Sequence, residues 1–93
     1  MNVTVSDASG KVAFMGKTDS QGTFTTDKVK PGMYDVQFIS PSAITGNYSI
    51  KVSAGVKHVS AAGIAGDKFT KGVALKVNVQ NLWSIVGEVK KAN

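Results

Sequence analysis

The chain has no cysteine, which excludes disulfide staples, thiol nucleophiles and thiolate metal sites. It has no arginine either: its 11 basic residues are all lysines, against 6 acidic ones, for a formal charge of +5. Arginine is the side chain whose planar fork grips phosphate and guanine in a bidentate way. The lysines are scattered rather than clustered, so no nucleic-acid surface is expected. Their spacing suits solvated strand positions that discourage edge-to-edge association. No apolar run approaches the ~20 residues of a membrane span. Met1-Asn2-Val3-Thr4 also lacks the charged and apolar regions of a signal peptide. The expectation is an intracellular protein or a domain taken from a longer precursor.

Histidine occurs once, as His58, and glutamate once, as Glu88. A nucleophile needs a base within hydrogen-bond reach and a group that orients the base. His58 is the only candidate base near neutral pH, with Ser60 merely its same-face neighbour two residues on. Zinc needs further His or Cys ligands, which are missing. Asp19, Asp27 and Asp35 stand eight residues apart, too widely spaced for a calcium loop, and read as turn and solvent-facing positions. No catalytic, cofactor or metal residues are expected.

The most informative stretch runs from Thr18 to Phe38. Asp19-Ser20-Gln21-Gly22 places Asp first and Gly last, as a type I turn prefers, and Asp7-Ala8-Ser9-Gly10 repeats the arrangement. Pro31-Gly32 predicts a type II corner. Tyr34, Val36 and Phe38 then alternate with Asp35 and Gln37, the period of a strand buried on one face. Between these signals Thr23-Phe24-Thr25 is a short strand with Phe24 inward, and Thr26 to Lys30 reads as a polar connection.

Elsewhere Val3 and Val5 mark a first strand, and residues 11–18 a second. Tyr48, Ile50 and Val52 point inward from another, Val56 to Ala61 continue as strand, and Val73, Leu75, Val77 and Val79 form the cleanest alternation. Gly63 to Thr70 reads as the longest irregular segment. Residues 82–91 fit helical spacing through Leu82, Ile85, Val86 and Val89, yet Trp83, Ile85, Val86 and Val89 are strand formers. A strand is favoured, paired with the preceding one through a turn at Gln80-Asn81. The 93 residues make one domain, with residues 1–80 as the sandwich core and 81–93 as its C-terminal strand or tail. The fold class is an all-β, seven- to eight-stranded immunoglobulin-like antiparallel sandwich.

Val5-x-Asp7-x-x-Gly10-x-Val12, Thr18-Asp19-x-x-Gly22-x-Phe24 and Pro31-Gly32-x-Tyr34-x-Val36 together resemble the carboxypeptidase regulatory-like domain family. The resemblance covers residues 3–38. It implies a transthyretin-like (prealbumin-like) sandwich serving as an accessory module of secreted, periplasmic or cell-surface proteins. Its residues Asp19, Gly22, Pro31 and Gly32 define turns rather than chemistry.

Three related groups sharpen the expectation. Collagen-adhesin B-type repeats carry a lysine–asparagine isopeptide bond promoted by a glutamate where this chain has Phe38, so Lys11 and Asn78 are not expected to cross-link. Transthyretin-like hydrolases need several histidines and an arginine, which are missing. Polysaccharide-binding sandwiches stack sugars on exposed aromatics; Tyr34 and Tyr48 alternate in phase with core residues, which leaves Trp83 as the candidate ligand contact.

The expected function is a non-enzymatic structural or accessory module whose partners are neighbouring domains of the same polypeptide. The alternatives are a carbohydrate-binding module using Trp83, and assembly with a protein partner through an exposed sheet edge. Ile85-Val86-Gly87-Glu88-Val89 resembles the opening of a further such domain.

Overall fold

Period-two alternation of apolar and polar residues makes strands that bury one face, and eight of them account for most of this chain. The computed structural model describes residues 1–92. The strands are β1 (Asn2–Asp7), β2 (Val12–Lys17), β3 (Thr23–Val29), β4 (Gly32–Ile39), β5 (Asn47–Ala54), β6 (Lys57–Ala65), β7 (Val73–Val79) and β8 (Trp83–Ala92). A 3-10 helix, Gly66–Thr70, links β6 to β7. Two four-stranded sheets result, ordered β2-β1-β4-β7 and β3-β8-β5-β6. All six strand pairings are antiparallel. This is the all-β sandwich the sequence predicts.

The core lies between the sheets. Val3, Val5, Val36, Phe38, Val77 and Val79 come from the first sheet, and Phe24, Ile50, Val52, Ala54 and Ile85 from the second. Each of these valine, isoleucine and phenylalanine side chains gains roughly 1.5–3 kcal/mol on full burial, which is the main term holding the sheets together. Phe24 is the bridge: its ring stacks on Phe14 at 5.9 Å and meets Phe38 edge-on at 5.7 Å.

Two turns repeat one device. Asp7 Oδ1 accepts the backbone N–H groups of Ser9 and Lys11, both at 3.0 Å. Asp19 Oδ1 accepts those of Gln21 at 2.9 Å and Thr23 at 3.0 Å. Gly22 then takes φ +79°, and its carbonyl accepts the Val89 N–H at 2.8 Å. A Cβ at Gly22 would collide with the Val89 carbonyl, so glycine is required here both for its dihedral and for the close approach.

Four local expectations are corrected. First, β8 pairs with β3 and β5 in the opposite sheet rather than with β7, so residues 80–82 cross between sheets instead of forming a hairpin. β7 has β4 as its partner, and the empty place between β3 and β5 is where β8 buries Ile85. Second, Gly63 to Thr70 is not irregular. β6 runs through Ala65, and the 3-10 turn that follows sets Phe69 fully into the core.

Third, Thr26 to Val29 is strand rather than connection. The ladder between β3 and β8 slips between Thr25 and Lys28, and the Thr26 hydroxyl fills the gap. Thr26 Oγ1 accepts the Ile85 N–H at 2.9 Å and donates to the Asp27 carbonyl at 2.6 Å. Thr26→Val keeps the shape and removes both bonds, leaving a buried N–H unpartnered. It should cost about 1–3 kcal/mol in chemical denaturation, with Thr26→Ser retaining most of the native value. An unchanged midpoint for Thr26→Val would remove the hydroxyl from this account.

Fourth, Pro31-Gly32 does not form the type II corner. Gly32 has φ +153°, far from the value near +80° that such a corner needs, and it already pairs with Val79 as the first residue of β4. The Lys30 carbonyl accepts the Tyr34 hydroxyl at 2.7 Å. A side chain thus closes this corner, where a backbone N–H was expected to.

Candidate functional site

Strand polarity gives the sandwich two unlike ends. Asn2 pairs with Lys17 and Ile39, and Asn47 with Ala92, so Met1 and the end of β8 lie together. Asp7, Val29, Gly32, Ala54, Val79 and Trp83 all sit at the opposite end. That distal end carries the Lys30-Pro31 corner, the Gly55-Val56 hairpin turn and the 80–82 crossing.

Trp83 opens β8 there, opposite Val29, and is half-buried. Its ring lies over Gly55, where a Cβ would collide with the indole. Gly55 has φ +60° while Val56 has a negative φ, which is the type II′ arrangement that suits a two-residue hairpin. The hairpin thereby presents Val56 to solvent at 75% exposure, with Leu82 beside Trp83 at 53%. Val56 and Leu82 are thus exposed apolar residues in the two connections next to Trp83, whose own side chain also packs against the core. Setting Tyr34 and Tyr48 aside as core residues points to Trp83 but not to Val56 or Leu82; the signal that could have found them is an apolar residue placed inside each of two connections.

The other sequence candidates are placed apart from Trp83 or tied into packing. Tyr34 is buried with its hydroxyl on the Lys30 carbonyl. Tyr48 is half-buried, donates to the Thr45 carbonyl at 3.0 Å and meets Phe69 edge-on at 5.7 Å. Pro31 and Gly32 belong to the distal end. Asp19 and Gly22 belong to the end near Met1, where their turn lines an open cleft of about 460 Å³ with Thr18, Tyr48 and Lys91. Sequence reasoning assigned that turn to the fold alone and missed the cleft.

The chemistry-bearing residues do not converge. His58 is exposed on β6, opposite Ser53, and Ser60 is opposite Lys51, with no carboxylate in the same cross-strand pair. Among the described residues no three His, Cys, Asp or Glu side chains gather as a metal site. Phe38 is fully buried, while Lys11 and Asn78 are exposed. Glu88 meets Lys90 at 3.4 Å on the surface, a pair of the kind worth ~0–1 kcal/mol.

The Asp7 carboxyl is held below its ordinary pKa. The Ser9 hydroxyl, at 2.6 Å from Oδ1, is the chief cause, followed by the Lys11 backbone N–H. With its folded value depressed, Asp7 supports the turn above the unfolded pKa, and that support is lost as pH falls through the folded value. A carbon-13 titration of the Asp7 carboxyl should give a midpoint below that of an unstructured aspartate. Ser9→Ala should move it back upward. An ordinary midpoint in the unaltered chain would contradict the geometry.

No helix among the described residues is long and apolar enough to cross a membrane. Searches of curated proteins and of solved structures returned no match. A family model described as polysaccharide lyase family 4, domain II, fibronectin-type-III-like in fold, matches residues 2–60, well over half of the chain. The immunoglobulin-like sandwich implied by residues 3–38 agrees with that match, whereas the family matched is not the carboxypeptidase regulatory-like one. Together with the two four-stranded sheets, the match establishes that this chain belongs to the family of polysaccharide lyase family 4, domain II.

Proposed function

We propose that the chain is a non-enzymatic accessory module of a larger secreted or cell-surface protein directed at polysaccharide. The family match carries this reading, because it links the sandwich to a second domain of a polysaccharide-cleaving family. The placement of His58 and Ser60 without an orienting carboxylate supports a role other than catalysis. The Asp-x-x-Gly turns and the Pro-Gly-x-Tyr corner support a kinship with carboxypeptidase regulatory-like modules, which carry the same accessory role by resemblance. Incubation with uronate-containing and neutral polysaccharides should yield neither new reducing ends nor the ultraviolet absorbance of an eliminated sugar. Turnover by the purified chain would overturn the reading.

A second reading is favoured by one observation: the sole tryptophan stands half-exposed at the end remote from the chain termini, flanked by Val56 and Leu82. In this reading the distal end contacts sugar rings through the indole face. Because Trp83 is the only tryptophan, its fluorescence reports on this position alone. Binding should quench or shift the emission and retard the chain in a polysaccharide-containing gel, and Trp83→Ala should abolish the retardation. Migration unaffected by every polysaccharide tested would sink this second reading.

A further inference from the structure

We infer that β8 is an exchangeable strand, and that two copies of this chain associate by each placing its β8 between β3 and β5 of the other. The inference does not rest on the polysaccharide reading. It begins from an imbalance in the second sheet. Among the described residues β8 is the last strand, yet it is one of the two inner strands of its sheet and the only sheet partner of β3. The stretch matched by the family model ends at residue 60 and so contains β3 without that partner. Withdrawing β8 leaves a slot between β3 and β5 floored by core residues, including Phe24, Ile50 and Val52.

The slot is selective. A Cβ at Gly87 would fall within the Phe24 ring, so the central position accepts only glycine. Ile85 fills the core on one side of that glycine, and Val89 packs against it on the other. The Thr26 hydroxyl waits for the N–H at position 85, and the Gly22 carbonyl for the one at position 89. An extended segment of the form apolar-x-Gly-x-apolar is therefore required, and a second copy's Ile85-x-Gly87-x-Val89 supplies it.

The connection at 80–82 favours exchange. From Val79 to Trp83 the chain passes from one sheet to the other. Only residues 80–82 make this crossing, with bends at Asn81 and Leu82. Short hinges invite swapping, since such bends can straighten while the same strand contacts re-form on another copy. In an exchanged pair the hinges lie at the distal ends, which brings those ends together.

Thr25 on β3 and Val86 on β8 are register partners with exposed side chains, and the chain has no native cysteine. In an antiparallel pair such partners lie within disulfide reach. The variant Thr25→Cys/Val86→Cys is refolded at protein concentrations from about micromolar to millimolar, oxidised, and run without reductant, alongside light scattering of the unaltered chain. Exchange predicts a covalent dimer, or a ladder of longer species, whose fraction rises with concentration, and a scattering mass twice that of one copy. Disulfides that stay within single copies at every concentration overturn the inference, even if light scattering reports a dimer. Should the double variant fail to fold, hinge variants decide by light scattering. Deleting Asn81 should raise the dimer fraction at least several-fold, and inserting Gly-Ser-Gly after it should lower it; equal masses for the two would overturn the inference.

Discussion

Gly87→Ala is expected to destabilise this chain by about 3 kcal/mol, although it adds a single methyl group. Gly87 lies in the middle of β8, buried, opposite Phe24 on one side and Val52 on the other. The new Cβ would sit against Phe24 Cε1, Cζ and Cδ1. Phe24 has no room to retreat, because Phe14 stacks on it and Phe38 abuts it edge-on. The backbone conformation is not the obstacle, since Gly87 is extended strand; the obstacle is the ring. A chain of 93 residues has a total stability of roughly 5–14 kcal/mol, so the loss is a large fraction of it. At roughly 4–8 °C per kcal/mol, the thermal midpoint should fall by about 12–24 °C. Phe24→Leu in the same chain should recover part of the loss, and the double-mutant cycle should show favourable coupling. Additive effects of the two substitutions would mean that the ring is not what excludes the methyl group.

Phe69→Ala is expected to cost about 3–5 kcal/mol, the range for emptying a fully buried aromatic site. Phe69 is held by the only helical turn among the described residues and plugs the end of the sandwich near the chain termini. Its carbonyl accepts the Ser40 N–H at 2.8 Å, and its ring supports Tyr48 edge-on. The turn itself is anchored by the Gly66 N–H on the Gly46 carbonyl at 2.8 Å, and no Cβ fits at Gly66 beneath the Ile44 carbonyl. Collapse into the space left by Phe69 is therefore restrained by backbone on two sides. Differential scanning calorimetry should show a midpoint lowered by roughly 12 °C or more, with Phe69→Leu losing less than half as much. A shift of only a few degrees would show that this end of the core closes over the cavity.

Most of the sandwich was legible because strands that bury one face announce themselves by alternation. Tyr34-x-Val36-x-Phe38 and Val73-x-Leu75-x-Val77-x-Val79 form β4 and β7 as read, and the Asp-x-x-Gly turns carry the side-chain bonds their residues imply. Phe69 escaped notice because a single inward residue in one 3-10 turn creates no period. Thr26 escaped because a polar residue in a polar run looks solvated until a ladder slip leaves it facing a buried N–H. Of the candidate site, Trp83 was legible as the aromatic left once Tyr34 and Tyr48 were assigned to packing, although on β8 it shares the inward face of Ile85 and Gly87 and packs against the core. Val56 and Leu82 were not, since their exposure depends on how two separate connections meet at one end.

By itself the sequence determined composition-bound chemistry and local form. Without cysteine or arginine, and with one histidine, the thiolate, bidentate-phosphate and multi-histidine sites were closed from the outset. Period-two alternation and turn residues likewise settled an all-β chain, since each acts over only a few neighbours. The tertiary structure alone decided partnership. The residues of β8 favour a strand but carry no address, because any antiparallel neighbour can satisfy backbone N–H and C=O groups. What places β8 between β3 and β5 is a position against the Phe24 ring that only glycine fits and a Thr26 hydroxyl that accepts the Ile85 N–H. Those contacts join residues about sixty positions apart in the chain, and local pattern is silent at that range.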